Sequence, residues 1–187
     1  MRAFIAVDLI PPLRRRLAEA QARLRRRCPP LKWVEPTNLH ITLKFLGEID
    51  PRLTPRIQAA LARIAAECHP FDIVGEGWGT FPEAGPVKVL WVGLHDPAGG
   101  LAALARRCDD QLEPLGLPRE PRAFSAHLTL ARNNDPRRSR DLREALAAEP
   151  PFLAGTQQVD ELTLYQSTLT PRGPIYQPLS RHDFAAA

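Results

Sequence analysis

The sequence has no run of apolar residues near the roughly 20 that a membrane-spanning helix requires. The apolar stretch close to the N-terminus, Phe4-Ile5-Ala6-Val7, is short, because Asp8 interrupts it and Pro11-Pro12 end it. A stretch of this kind is typical of a strand rather than of a signal peptide. We therefore expect a soluble, cytoplasmic protein with no membrane partner.

Cysteine is scarce, and its spacing argues against two kinds of small scaffold. Cys28, Cys68 and Cys108 are odd in number and form no Cys-x-x-Cys pair. A disulfide framework needs an even number of cysteines, and a structural zinc site needs closely spaced ligands. The sequence predicts neither.

Several nucleotide-binding and hydrolase motifs are also missing. No glycine-rich loop ends in Gly-Lys-Ser/Thr, and no Gly-x-Ser-x-Gly is present, so neither a P-loop nor a serine nucleophile elbow is indicated. Gly75, Gly77 and Gly79 lack the Gly-x-Gly-x-x-Gly spacing followed by a helix. A bulged strand is the expected structure there.

The charge of the chain is mildly basic. The sequence has 25 Lys and Arg against 21 Asp and Glu, a net charge of +4, and part of the excess lies in Arg14-Arg15-Arg16, Arg25-Arg26-Arg27 and Arg137-Arg138. Such runs are more typical of solvated helix faces than of nucleic-acid patches. An anionic partner is therefore compatible with the charge but not required by it.

One four-residue pattern occurs twice in the sequence, as His40-Ile41-Thr42-Leu43 and His127-Leu128-Thr129-Leu130. Each copy lies where polar and apolar residues alternate, which predicts a half-buried strand. Residues i and i+2 of a strand point to the same face, about 6.5–7 Å apart. Each strand should therefore present one imidazole and one hydroxyl together, and in the first copy Ile41, Leu43 and Phe45 should pack behind them.

The elements around the two copies follow one order, which indicates a duplication. The two histidines are 87 residues apart, and the helix-opening prolines Pro51 and Pro136 are 85 residues apart. The hydrophobic periodicity predicts, in order, strand 2–9, a helix from Pro11 that carries Leu13, Leu17 and Leu24, strand 39–46, helix 52–67, extended segment 71–80, strand 87–94, a helix that carries Leu101, Leu104, Cys108 and Leu112, strand 123–132, helix 137–148 and extended segment 159–169.

This order predicts the organisation of the whole chain. We expect one domain over residues 1–187, made of two lobes at about 1–80 and 86–170, with one further strand within 174–184. Two similar lobes that face each other would bring both His-Thr faces to one cleft.

Two histidines on opposite walls of a cleft are suited to acid–base catalysis. Because the unperturbed pKa of an imidazole is near 6.5, one ring can be neutral and accept a proton while the other is protonated and donates one. Two threonine hydroxyls can donate hydrogen bonds to oxygens on a central atom. A phosphorus atom that undergoes in-line displacement meets both needs.

The quoted segments resemble the 2H phosphoesterase superfamily, whose signature is a pair of His-x-Thr-x motifs. Within it the chain is similar to the bacterial and archaeal RNA 2′,3′-cyclic phosphodiesterases, also called 2′-5′ RNA ligases. The likeness covers nearly the whole chain in the expected order: Arg2 to Leu9, Trp33 to Pro36, Asn38 to Gly47, Trp91 to Leu94, Phe124 to Arg132 and Leu164 to Ser167. The resemblance implies a bilobal α+β fold whose two antiparallel sheets are related by pseudo-twofold symmetry, with helices flanking the sheets and the active site between the lobes.

The resemblance also implies a reaction and a role for each motif residue. A 2′,3′-cyclic phosphate would open to a 2′-phosphomonoester with no metal or other cofactor, and the reverse reaction would join RNA ends through a 2′-5′ linkage. His127 would accept a proton from water and His40 would donate one to O3′, while Thr42 and Thr129 hold the phosphate oxygens. The implied partners are RNA with 2′,3′-cyclic phosphate ends or small cyclic phosphate nucleotides, and we expect a monomer.

Lys44 follows the first motif and Arg132 follows the second. The alternation of side chains along a regular strand predicts that they point to different faces. Arg132 resembles an arginine of the family and could bind phosphate, but on a regular strand it would face away from His127 and Thr129. The strand must end or bulge near residue 131, or the side chain must curl around the edge, if Arg132 is to reach the substrate. Parity places Lys44 beside His40, where it could line the cleft or lie solvated at the strand end.

Several aromatic residues could stack on a base, and the sequence does not choose among them: Phe4, Trp33, Phe124, Tyr165 and Tyr176.

Two other functions use the same residues. An RNA-binding module could grip terminal phosphates in a His-Thr cleft without turnover, although binding alone would not require both an acid and a base. A metal-dependent hydrolase is less favoured, since a catalytic zinc usually needs three protein ligands and threonine is a poor one.

Overall fold

The computed structural model describes residues 1–171 and 173–185. Its strands and helices, in chain order, are β1 (Arg2–Asp8), α1 (Pro11–Arg25), β2 (Lys32–Trp33), β3 (His40–Glu48), α2 (Thr54–Ala66), β4 (Phe71–Phe81), β5 (Val89–His95), α3 (Gly100–Leu112), β6 (His127–Arg132), α4 (Ser139–Ala147), β7 (Leu153–Val159), β8 (Glu161–Thr170) and β9 (Gly173–Asp183). Within the described ranges, no helix is long and apolar enough to cross a membrane.

The helices form where the hydrophobic period predicts them. α1 begins at Pro11, where the missing N–H costs nothing because the first turn leaves that donor unpaired. The three leucines predicted for its inner face are all buried, as are the four apolar residues predicted for α3. Burial of these stripes against the sheets stabilises the helices more than their intrinsic propensity does.

The two remaining helices share one kind of N-terminal entry. A short 3-10 turn that starts at Pro51 precedes α2, and one that starts at Pro136 precedes α4. In each turn the aspartate before the proline accepts a hydrogen bond from a backbone N–H, at 2.9 Å for Asp50 and 3.1 Å for Asp135. The same local structure thus recurs 85 residues along the chain.

The strands form two antiparallel sheets, which confirms the expected α+β class. One sheet has four strands in the order β3-β1-β8-β9, and the other has five in the order β2-β6-β5-β4-β7. The predicted C-terminal strand is present as β9, whereas the two-residue β2 was not predicted. The second His-Thr strand begins at His127 rather than near 123, because the chain before it leaves the sheet. The extended segment expected at 159–169 is the end of β7 followed by β8.

The two sheets do not coincide with the two sequence repeats. β4 is the last strand of the first repeat, yet it pairs with β5 and β7. β8 belongs to the second repeat, yet it pairs with β1 and β9. The first repeat therefore contributes β2 and β4 to the five-stranded sheet, and the second repeat contributes β8 to the four-stranded sheet. A division near residues 80–86 separates the repeated order of elements but not the sheets. Periodicity identifies a strand, but its partners are decided by tertiary packing.

A single hydrophobic core joins these layers. Ile5 and Ile41 of one sheet belong to the same buried cluster as Leu90 and Leu128 of the other. α1 packs against β7, and α3 packs against both α2 and β3. The strands that carry the two motifs therefore rest on a rigid support, which is what positions their side chains.

Candidate active site

The first motif lies at the start of β3, where backbone contacts orient the imidazole. His40 Nδ1 lies 2.7 Å from the carbonyl oxygen of Asn38. Because a carbonyl oxygen can only accept, Nδ1 must be the protonated nitrogen and donate to it. Nε2 is then left for chemistry, and in the neutral ring it accepts a hydrogen bond from the Thr42 hydroxyl at 3.0 Å.

The second motif repeats this anchoring on β6. His127 Nδ1 lies 2.8 Å from the carbonyl oxygen of Ser125, which again is the residue two positions earlier. This contact therefore leaves Nε2 of His127 without a backbone partner as well. Thr129 lies two residues further along β6, on the same face as His127.

Each motif strand contains a bulge directly after its threonine. The register of β1 with β3 shifts between Thr42 and Lys44, and that of β5 with β6 shifts between Thr129 and Ala131. The extra residues, Leu43 and Leu130, are 87 positions apart, as the histidines are. A bulge adds one residue to one strand and so reverses the alternation that follows it.

The bulge at Leu130 brings Arg132 back to the face of His127 and Thr129. Arg132 pairs with Val89, two residues from the Trp91 that pairs with Thr129. This is one of the arrangements that the sequence left open for Arg132. The charge of the guanidinium group lowers the pKa of His40 and that of His127.

The bulge at Leu43 has the opposite effect on the first strand. It turns Lys44 away from His40 and towards the core, where the ammonium group donates to the Asp109 carboxylate and to the Pro118 carbonyl. Lys44 is only 5% exposed, so it neither lines the cleft nor lies solvated. Phe45 was expected to pack behind the motif, but it is turned to the motif face and is 61% exposed.

Aromatic rings surround His40. Phe4 lies at 4.8 Å between ring centroids, and Tyr176 meets the imidazole edge-on at 5.3 Å. Tyr165 stacks on Phe4 at 5.2 Å. Three of the five aromatic residues considered from the sequence therefore gather at this motif, in a small cluster separate from the main core.

The rings around His127 come from residues that the sequence did not single out. Phe81 meets its imidazole edge-on at 4.9 Å, and Trp91 lies at 6.4 Å. The alternation in β5 is a signal that could have found Trp91, since it pairs with Thr129. Trp33 and Phe124 are half-buried residues that pack against the main core.

Burial has the largest effect on the pKa of both imidazoles. It lowers the pKa of His40 and of His127, and Arg132 lowers both further. Two hydrogen-bonding carbonyls act in the other direction, and Asp8 raises the pKa of His40. Without substrate, both rings therefore favour the neutral form at neutral pH.

The strands that carry the two motifs lie next to each other, one in each sheet. Residues of β3 contact residues of β6, and the charge of Arg132 reaches His40, His127 and Tyr176. Over residues 1–171 and 173–185, no three His, Cys, Asp or Glu side chains are grouped so that they could hold a metal ion. The two motif strands thus bring together two imidazoles whose Nε2 atoms make no backbone contact, two threonine hydroxyls and a guanidinium group.

Comparison with protein families and curated proteins gives a consistent result. A family model described as the 2′-5′ RNA ligase superfamily matches residues 11–170. The chain is 35% identical over 176 residues to an RNA 2′,3′-cyclic phosphodiesterase of Methanothermobacter thermautotrophicus, which covers 94% of this chain and 95% of that protein. It is 36% identical over 179 residues to an RNA 2′,3′-cyclic phosphodiesterase of Archaeoglobus fulgidus, with 96% and 98% covered.

Solved structures show the same architecture. A crystal structure of a Thermus thermophilus protein matches with a TM-score of 0.83 and 33% identity, over 98% of both chains. Escherichia coli LigT complexed with 3′-AMP matches with a TM-score of 0.78 and 29% identity, over 98% of this chain and 97% of that one.

Proposed function

The chain belongs to the 2′-5′ RNA ligase superfamily and is an RNA 2′,3′-cyclic phosphodiesterase, and we propose that it opens the cyclic phosphate to a 2′-phosphomonoester by two-histidine catalysis without a metal ion. One observation carries this proposal. Both histidines donate Nδ1–H to a carbonyl oxygen, so two Nε2 atoms are available in one cleft for proton transfer.

In the proposed reaction His127 is the proton acceptor and His40 is the proton donor. Nε2 of neutral His127 takes a proton from a water molecule, whose oxygen attacks phosphorus in line with the P–O3′ bond. That bond breaks as Nε2 of protonated His40 gives its proton to O3′. The products are a 2′-phosphate and a free 3′-hydroxyl, and exchange with solvent then restores the two protonation states.

The phosphate itself is bound by the groups between the histidines. The hydroxyl groups of Thr42 and Thr129 donate hydrogen bonds to the non-bridging oxygens, and Arg132 supplies a charge-assisted hydrogen bond to the same anion. The negative phosphate also raises the pKa of a nearby imidazole. Substrate binding therefore favours the protonated His40 that the reaction requires, although burial favours the neutral ring in the empty site.

If His40 is the proton donor, the nucleoside must lie beside the four-stranded sheet, which carries His40. O3′ is an atom of the ribose, so the ribose must lie beside His40 while water enters beside His127. Phe45 is the exposed ring on that side, 6.2 Å from Phe4. A nucleobase that stacks on Phe45 would gain affinity without sequence preference, because every base has a π-face.

The same groups can run the reaction in reverse. A 2′-phosphate and a 3′-hydroxyl would re-form the cyclic ester, and a 5′-hydroxyl of a second RNA in place of water would give a 2′-5′ linkage. Water is far more abundant than RNA ends, so hydrolysis dominates in dilute solution. RNA with cyclic phosphate ends and small cyclic nucleotides are the proposed substrates, acted on by a monomer.

The test is turnover of 2′,3′-cyclic AMP and of a cyclic-ended oligoribonucleotide by protein that has been treated with EDTA. We expect full activity and a 2′-phosphate product, which chromatography separates from the 3′ isomer. Loss of activity in EDTA with recovery in zinc or manganese would contradict the metal-independent mechanism. Tight binding of the RNA end without turnover would instead indicate a binding module.

A further inference from the structure

The two histidines differ in the residue that lies directly opposite on the neighbouring strand of the same sheet. Asp8 of β1 pairs with His40, and Gly93 of β5 pairs with His127. Directly opposed residues of antiparallel strands have Cβ atoms about 4.5–5.5 Å apart. One imidazole therefore has a carboxylate beside it, whereas the other faces a residue without a side chain.

This difference is built into the backbone. A Cβ atom added at Gly93 would lie 2.8 Å from the carbonyl oxygen of Glu76, a distance that real Cβ atoms do not tolerate. No side chain can therefore take the position beside His127 that Asp8 takes beside His40. The repeats preserve both motifs but differ at the residue that faces each histidine.

The Asp8 carboxylate is held in place from several sides. The Tyr165 hydroxyl donates to it at 2.5 Å, and the Arg181 guanidinium lies 3.6 Å away. The Gln157 amide donates to the backbone carbonyl of the same residue at 2.6 Å. A charge fixed in this way acts on its neighbour without the entropy cost of ordering a mobile side chain.

The other charged and titratable groups around His40 act against its protonation or are neutral. Arg132 of β6 and Arg14 of α1 both lower the pKa of His40, and Asp8 raises it. Tyr176 of β9 contributes a ring edge. Around His127, burial and Arg132 lower the pKa, and the Ser125 carbonyl raises it.

We propose that Asp8 is a positioning residue that assigns the proton-donor role to His40, because its fixed negative charge stabilises the protonated imidazole opposite it. The inference rests on the proposed function, in which one histidine must start each turnover protonated and the other neutral. Two motifs with the same residues and the same carbonyl anchors can then take different roles, since only the first has a carboxylate as its cross-strand neighbour.

The kinetic test compares Asp8→Asn with Asp160→Asn. Asp8 and Asp160 both line one cavity at the end of β1. Each change removes one carboxylate from it, but the exposed Asp160 is not among the groups that act on His40. For 2′,3′-cyclic AMP, the alkaline limb of the kcat/KM profile reports the proton donor. In Asp8→Asn this limb should move to lower pH by about 0.5–1 unit, with kcat/KM at pH 8 reduced about 3–10-fold. Asp160→Asn should leave both limbs in place.

A titration without substrate provides the second measurement. The C2–H resonances of His40 and His127, followed by NMR from pH 5 to 8.5, should show a lower pKa for His40 in Asp8→Asn and an unchanged pKa for His127. An unchanged alkaline limb, or a shift of the acidic limb instead, would overturn this inference while cyclic AMP hydrolysis stands. Failure of the unmodified protein to hydrolyse any cyclic phosphate would overturn the proposed function, and the donor role with it.

Discussion

At the scale of single residues, the site depends on which ring nitrogen of each histidine is hydrogen-bonded to the backbone. The carbonyls of Asn38 and Ser125 accept from Nδ1 of His40 and His127, and this leaves Nε2 as the atom that exchanges protons in the proposed mechanism. The residues after the threonines differ more between the repeats than the motifs do. Position 45 is an exposed phenylalanine, and position 132, its counterpart after the second bulge, is an arginine.

The two histidines should be about equally sensitive to substitution. We expect His40→Ala and His127→Ala each to lower kcat by about 10²-fold or more, because each removes a positioned acid or base. His95→Ala removes an exposed histidine at the end of β5 and serves as the control. Steady-state hydrolysis of 2′,3′-cyclic AMP measures all three, and near-normal turnover by a motif variant would remove that histidine from the mechanism.

The exposed ring of Phe45 should affect binding more than chemistry. Base–aromatic stacking is worth about 1–3 kcal/mol, so Phe45→Ala should raise KM for a cyclic nucleotide about 10-fold with little change in kcat. Phe45→Trp should keep KM low, since it preserves the π-face. Leu153→Ala alters an apolar side chain of similar exposure, 57%, on β7 and should leave KM unchanged. Equal KM values for Phe45→Ala and the unmodified protein would argue against stacking on this ring.

At the scale of elements, a repeated bulge decides what reaches the cleft. In β3 and β6 alike, the extra residue after the threonine reverses the alternation. Lys44 is thereby turned into the core, where it joins β3 to Asp109 of α3 and to Pro118. That contact connects the strand of the first motif to the chain segment that leads into the second.

The buried contact of Lys44 with Asp109 should matter for stability. The two side chains are 3% and 16% exposed, so Lys44→Met leaves a poorly solvated carboxylate without its partner. We expect a loss of about 3 kcal/mol in the free energy of unfolding, measured by urea denaturation. The double variant Lys44→Met/Asp109→Leu removes both charges and should recover part of that loss. A double variant that is less stable than Lys44→Met would contradict this account.

At the scale of the whole molecule, the cleft depends on an exchange of strands. The five-stranded sheet contains β2 and β4 from the first repeat, and the four-stranded sheet contains β8 from the second. Separating the two repeats would therefore break backbone ladders as well as side-chain packing, and this ties the strand of the first motif to that of the second. Such a constraint suits catalysis that needs both histidines within reach of one phosphorus atom.

The buried histidines should make stability depend on pH. The folded-state pKa of His40 and of His127 is lowered, so below about pH 6.5 the unfolded chain binds protons before the folded protein does. The contribution of the neutral rings is complete above that pH and decreases as the pH falls towards the folded-state values. Urea denaturation from pH 8 to pH 5 should show decreasing stability.

A double variant provides the control for this pH dependence. His40→Gln/His127→Gln should show a smaller decrease between pH 7 and pH 5. His182, whose pKa is also lowered by burial, should retain part of the slope. The same slope in both proteins would show that the site histidines do not carry the effect.

The sequence by itself determined most of the helices and strands and the two motifs. The helix stripes of α1 and α3 and the two His-Thr strands follow from local periodicity, because amphipathic spacing of 2 or 3.6 residues is a property of neighbouring residues. The antiparallel α+β class was implied by the resemblance to the 2H phosphoesterases. The repeated motif pointed to phosphate chemistry by residue type alone, since paired imidazoles and paired hydroxyls together suit in-line displacement at phosphorus.

Only the tertiary structure decided how these pieces meet. The bulges at Leu43 and Leu130 reverse the parity on which the sequence argument relied, and so bring Arg132 to the cleft, expose Phe45 and bury Lys44. The exchange of β4 and β8, and the pairing of Asp8 with His40, are contacts between residues far apart in the chain. A local pattern cannot specify them, because strand partners and register are selected by the packing of the whole core.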